Sequence, residues 1–304
     1  MKQPMSPTAA AVYLLSILVA APLARAESNV AGVEGIEAVA SRVSSDYIRA
    51  TLSDGSFRPE LYAFGPGGSW GGEIKDHTID KMTFDDVAHT IAPALENQKY
   101  VVGKDPAATK LLIMVYWGTT AVPPPYEEDP LYNNYRQSLD EYQRLRHQGA
   151  PPEECNDVLS SGLHQLAMEN RIRDLQDFKN AAMIGYDASG LIGTERGKYL
   201  QHTALGNEAK DEMDEIEQNR YFVVLMAYDF QLMWKEKKHK LLWETRFSID
   251  ERHNQFDAAL PAMAQYAAHY FGVPTNGLVK KRVLDGRVEL GQPTLVQFIP
   301  EPQK

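Results

Sequence analysis

Between residues 221 and 250 the chain reads YFVVLMAYDFQLMWKEKKHKLLWETRFSID, and this segment constrains the fold more than any other. Phe222, Val224, Met226, Tyr228, Phe230, Leu232 and Trp234 recur at every second position. That is the period of a β-strand, whose successive side chains point to opposite faces. Val223, Leu225, Ala227, Asp229 and Gln231 fill the other face. Past the basic run KEKKHK, Leu241, Trp243, Thr245, Phe247 and Ile249 repeat the pattern against Leu242, Glu244, Arg246 and Ser248. Two long strands joined by a charged turn are expected, as a β-hairpin with one strongly apolar face. In that arrangement Glu244 and Arg246 point the same way as Asp229, which leaves room for a cross-strand ion pair worth little if exposed. The next segment supplies a cover for the apolar face. Phe256, Leu260, Met263, Ala267 and Tyr270 fall on one side of a helix that Gly272 and Pro274 stop.

The rest of the chain adds shorter elements. KKRVLDGRVELG (280–291) reads as a smaller hairpin about Asp285-Gly286, and TLVQFI (294–299) as a last strand. Upstream, DYIRATL (46–52) and ELYAF (60–64) read as short strands around the turn SDGSFRP, after which GPGGSWGG (65–72) breaks regular structure. Thr83 followed by Asp86 is the signature of a helix start. Phe84, Val87, Ala88, Ile91 and Leu95 then hold helical spacing, and Pro93 is expected to kink or end the helix late. A short strand is expected over Tyr100 to Val102, a turn at GKDP, and a strand from Lys110 to Thr119. That second strand lacks alternation, as a strand covered on both faces does. Leu111 to Val115 are core, whereas Tyr116 and Trp117 reach towards a strand end.

Composition changes between residues 121 and 219. VPPPYEEDP (122–130) is an extended, exposed connector. Helical patterns run over 132–148 and 156–186, separated by GAPPEE, which predicts an αα-hairpin. In the longer helix Val158, Leu159, Leu163, Leu166, Ile172, Leu175 and Phe178 read as a core-facing stripe. NEAKDEMDEIEQN (207–219) is a short acidic helix with only Met213 and Ile216 to bury. The fold class that follows is α+β: a mixed or mostly antiparallel sheet backed by helices 83–97 and 254–271. The core domain spans 27–120 and 220–304, with the mostly helical insertion at 121–219 between its halves.

The first residues bear on the compartment. Lys2 precedes the apolar run AAAVYLLSILVAA (9–21), which has the length of a signal peptide rather than of a membrane span. Ala24 and Ala26 then supply small residues at the minus-three and minus-one positions, so cleavage between Ala26 and Glu27 is expected. The other reading of the run is an uncut anchor. No Cys follows the site, which argues against lipoprotein processing. Removing 26 of the 304 residues leaves 278, enough for one large domain or two small ones. Lys2 and Arg25 go and no acid does, so the net charge moves from −10 to −12. Such a chain repels polyanions, so nucleic acid is not an expected partner, and no later stretch predicts a transmembrane segment in the mature chain. A periplasmic or secreted location follows. The single cysteine, Cys155, lies among Glu153, Glu154 and Asp157. One thiol makes no disulfide framework, and that acidic setting opposes a nucleophilic thiolate.

Familiar catalytic patterns are missing. The eight histidines form no HExxH or HxH, and no metal site is expected. There is no G-x-S-x-G elbow, and GPGGSWGG lacks the Lys-Ser/Thr of a phosphate-binding loop, so no cofactor is expected. Acid pairs such as Glu127/Glu128, Glu153/Glu154 and Asp85/Asp86 are common in an acidic protein and define no catalytic pair by sequence proximity.

The segments RYFVVLMAYDFQLMWKEKKHKLLWETRFSI, FDAALPAMAQYAAHYFG and TNGL resemble a group of secreted bacterial proteins of unknown function. The order of a capped helix, ENQKYVVGKDPAATKLLIMVYWG, a long hairpin and a helix is more distantly similar to a small envelope lipoprotein domain of unknown function. That resemblance implies a helix-backed antiparallel sheet and no active-site residues. The lipid-bearing Cys of the lipoprotein pattern is missing here. Together these readings predict a non-catalytic envelope protein that binds another envelope protein or a wall component, through the Pro-rich connector and the insertion. The alternative is an enzyme or small-ligand binder with a site at the strand ends near Tyr116, Trp117 and Asp229. That alternative requires a concave pocket with convergent polar groups and a perturbed carboxyl.

Overall fold

The computed structural model describes residues 33–70, 77–194, 197, 206–252 and 254–283. The expected signal segment with Ala26 and Glu27, the second half of the hairpin at 280–291 and the strand at 294–299 lie outside the described residues. The fold is α+β. A mixed sheet of seven strands runs in the order β3-β2-β4-β5-β6-β1-β7. Its strands are β1 (Gly35–Val43), β2 (Glu60–Trp70), β3 (Tyr100–Val102), β4 (Leu111–Thr119), β5 (Arg220–Asp229), β6 (Leu241–Asp250) and β7 (Val279–Val283). β2 runs parallel to β3 and β4, and every other pair is antiparallel. The helices are α1 (His77–Asp80), α2 (Phe84–Asn97), α3 (Pro130–His147), α4 (Pro152–Ile184), α5 (Asn207–Ile216), α6 (Phe230–Glu236) and α7 (Phe256–Ala267).

Both faces of the sheet are covered, and the covering elements come from different parts of the chain. Ile113, Val115 and Trp117 of β4, Tyr221, Val223 and Leu225 of β5, and Trp243, Phe247 and Ile249 of β6 share one face. α2 and α7 lie on it, and Phe256, Leu260 and Met263 of α7 are buried against it. Burying each of those three contributes roughly 1.5–3 kcal/mol. Thr83 caps α2 with a reciprocal pair of bonds to Asp86, and the helix passes through Pro93 to Asn97 without ending there. On the opposite face Ala38, Phe222 and Val224 meet Ala181 and Ile184 of α4, Tyr186, Ile192, and Met213 and Ile216 of α5. The segment between β4 and β5 therefore seals the second face of the sheet.

The hairpin differs from expectation in three ways. β5 stops at Asp229, and Phe230, Leu232 and Trp234 turn into α6 rather than continuing the strand. The cause is local: the Asp229 carboxylate accepts a bond from the Leu232 amide at 2.9 Å, an N-cap that starts a helix where alternation predicted strand. The faces also pair differently. Residues opposite one another share a face, and Phe247 lies opposite Val223, not Phe222. α7 thus covers the Val223–Leu225–Ala227 side, while the Phe222–Val224 side receives α4 and α5. Glu244 and Arg246 stand opposite Met226 and Val224. They pair with each other along β6 at 2.7 Å and make no bridge to Asp229. Lys240 of the basic turn reaches Asp46 at 2.6 Å instead.

The N-terminal third differs as well. β1 was not legible because GIEAVASRV mixes small and charged residues. DYIRATL forms no strand; it contributes only the isolated bridge between Thr51 and Phe57. β2 continues through Gly65 to Trp70 instead of breaking at the glycines. A Cβ on Gly67 would stand 2.7 Å from the Tyr116 ring, and one on Gly65 would stand 2.5 Å from Met114 Sδ. Glycine serves here to bring β2 over large β4 side chains, with a bulge between Pro66 and Gly68, rather than to end a strand.

α3 and α4 form the expected αα-hairpin, yet the expected stripe on α4 does not face the core. Leu163, Ile172, Leu175 and Phe178 are exposed, while Cys155, Gly162, Glu169, Asp177, Asn180 and Ile184 are buried. The buried face of α4 carries three polar residues, Glu169, Asp177 and Asn180, of which Asn180 binds backbone before the connector and at the end of α5.

Candidate functional site

The three residues expected at a strand-end site do not converge. Trp117 is buried in the core against α2 and α7, whereas its neighbour Tyr116 points to the other face. Asp229 pairs with Leu111, at the opposite end of β4 from Trp117. Six residues of strand separate the two positions, about 20 Å. The Asp229 carboxylate is engaged as the cap of α6. Neither of the two cavities described next is lined by any of the three.

The first cavity, of about 280 Å³, lies where the end of α4 meets β1 and β6, with Arg42, Tyr186, Glu244 and Arg246 among its lining. Gly185 ends α4 there with φ +87°, and a Cβ on it would stand 2.6 Å from Ala40 Cβ. Arg246 and Glu244 there are already engaged, since Arg246 binds Glu244 and the Ala182 carbonyl.

The second cavity, of about 340 Å³, lies at the root of the helical hairpin between the connector, α4, the turn at 191–193 and the end of α5. Arg173 and Asp177 of α4 line it, and Glu169 and Asn180 of the same helix flank them. The four recur at intervals of four, four and three, so they fall on one face of the helix. Asn180, fully buried, acts as a clasp: its Nδ2 donates to the Ala121 carbonyl at 2.8 Å and the Ile216 carbonyl at 3.2 Å, while its Oδ1 accepts from the Ala121 amide at 3.2 Å. One side chain thus ties the start of the connector and the end of α5 to α4. Arg173 is held as firmly. It pairs with Glu169, donates to the Pro124 carbonyl at 2.6 Å, and stacks 4.0 Å from the centre of the Tyr126 ring.

Asp177 is the exception. Its side chain is buried, and Oδ1 has no hydrogen-bond partner among the described residues. Burial pushes this carboxyl up to about 7, with the Glu217 and Asp174 carboxylates adding to the rise and the Arg173 guanidinium opposing it. Glu217 is also raised, first by burial and then by Asp214. Val122, Leu191, Ile192 and Met213 complete an apolar wall. Concave shape, convergent polar groups and a displaced carboxyl coincide here, the combination that marks a ligand site. It had one signal in the sequence, the polar spacing of Glu169, Arg173, Asp177 and Asn180, which the apolar residues of the same helix masked. Among the described residues no group of three or more His, Cys, Asp or Glu is placed to hold a metal ion.

A second feature is a surface. Met168, Ile172, Leu175 and Phe178 lie on the side of α4 away from its buried face, and Ile172 and Leu175 are each 52% exposed. On the same side, Glu153 and Asp157 lie towards the N-terminus of the helix and Arg171 and Lys179 towards its C-terminus. No helix among the described residues is long and apolar enough to cross a membrane.

No known family model matches the chain, and no curated protein matches it. Among solved structures, the chain is similar to a PDZ domain protein from Parabacteroides distasonis, at 12% identity and a TM-score of 0.35. The match covers 81% of this chain and 39% of that structure, so the chain spans about two fifths of its length.

Proposed function

We propose that the protein is an exported, non-catalytic binding module of the cell envelope whose α3–α4 hairpin docks another envelope protein. The observation that carries this reading is the exposed apolar side of α4, four large side chains where a solvated helix would present charge. The partner is a protein helix with an apolar stripe. Charge complementarity sets its direction: basic where it meets Glu153 and Asp157, acidic where it meets Arg171 and Lys179. A periplasmic or secreted location is supported by Lys2, the apolar run at 9–21 and the small residues Ala24 and Ala26. The test is crosslinking in intact cells of the unaltered protein and of the double variant Ile172→Asp/Leu175→Asp. Loss of a specific neighbour in the variant supports the reading, and an unchanged neighbour profile removes it.

A further inference from the structure

We infer that the cavity at the root of the hairpin binds a small organic ammonium ion, which donates a hydrogen bond to the Asp177 carboxylate and lays its carbon chain against Leu191, Ile192 and Met213. The site is separate from the exposed side of α4 and does not rest on the docking reading.

The argument begins with an imbalance. Asp177 is 5% exposed, and Oδ1 has no partner among the described residues. A buried carboxylate in a folded protein is ordinarily paired, because leaving it without a partner is strongly destabilising. The nearby cation does not serve it: Arg173 gives its Nε to Glu169 and its Nη2 to the Pro124 carbonyl, and its plane lies on Tyr126. Asp174 and Glu217 line the same space, so its field attracts cations and rejects phosphates and carboxylates. A metal ion is a poor match, since the described residues bring no third ligand into a metal geometry and much of the lining is hydrocarbon. A protonated amine with an aliphatic chain satisfies both halves. Its N–H groups supply a charged donor to the Asp177 carboxylate, and its methylenes replace water on the apolar wall. The volume of about 340 Å³ accommodates an amine of several carbons.

The experiment is calorimetric titration of the mature chain at pH 8 with n-pentylammonium chloride, with n-pentanol and plain ammonium chloride as matched controls. One-to-one saturable binding of the pentylammonium ion is expected, with weaker or no binding of either control. Asp177→Asn is expected to weaken it at least about tenfold, the loss of one charge-assisted hydrogen bond. Glu217→Gln, at the rim, is expected to weaken it by a smaller factor. Absence of saturable binding, equal affinity for the alcohol, or unchanged affinity in a folded Asp177→Asn protein overturns the proposal. Should Asp177→Asn fail to fold, unchanged affinity in Glu217→Gln overturns it instead. Ile172→Asp/Leu175→Asp is expected to keep full pentylammonium binding, which separates failure of this site from failure of the docking face.

Discussion

Replacing Asp177 by Asn tests the charge state of the cavity in the protein without any ligand. The ordinary carboxyl value of 3.8 rises to about 7 at Asp177, chiefly through burial, with Glu217 and Asp174 facing it and Arg173 opposing. Between those two values the native protein holds a proton that the unfolded chain has released, so native stability falls as pH rises through this window. The difference is about three pH units at ~1.4 kcal/mol each, which puts the full cost near ~4 kcal/mol above pH 7. Asn keeps the shape and removes the charge. The variant is therefore expected to be more stable than the unaltered protein at pH 8 and similar to it at pH 4. For a chain of this size each kcal/mol moves the midpoint by roughly 2–4 °C, so a gain of about 10 °C is expected at pH 8. Thermal melts followed by circular dichroism at both pH values measure it. A variant that melts below the unaltered protein at pH 8, or a difference that is the same at both pH values, would refute the assignment of an unpartnered buried carboxyl. Pentylammonium is expected to raise the midpoint of the unaltered protein at pH 8 and leave that of Asp177→Asn in place.

Four further outcomes are expected. Asn180→Ala is expected to cost about 2–3 kcal/mol, because Ala121 and Ile216 backbone groups lose their partner in a buried place, measured by urea denaturation. Gly185→Ala is expected to lower stability by about 1–3 kcal/mol, since φ there is +87° and the added Cβ meets Ala40, read from the same melts. Asp229→Ala is expected to cost about 1 kcal/mol by uncapping α6 and to leave pentylammonium affinity unchanged. Ile172→Asp/Leu175→Asp, on an exposed side, is expected to shift stability by about 0.5 kcal/mol or less per site in urea denaturation while abolishing the crosslinked neighbour.

The elements that were legible in the sequence are those whose signal is local. Thr83 and Asp86 announced α2, the uninterrupted apolar run at 111–115 announced a strand covered on both sides, and GAPPEE announced the turn between α3 and α4. The misread elements share a cause. Phe230, Leu232 and Trp234 continue a strand period perfectly, but a single capping carboxylate, Asp229, outweighs three side chains that have no strand opposite them. Gly65 and Gly67 look like breakers until β4 is laid beside them. The candidate site was hidden for the same reason, since Asp177 is one acid among 41 acidic residues and acquires meaning only when Glu217 and the connector close over it.

By itself the sequence determined the fold class, the charge and most helix positions, because each depends on composition or on residues within a few turns of one another. Tertiary structure alone decided which face of β5 meets α7, which side of α4 is left to solvent, and that a carboxyl at Asp177 lies buried without a partner. Those outcomes depend on contacts between segments scores of residues apart, as Asn180 with Ala121 shows, and no local period encodes them.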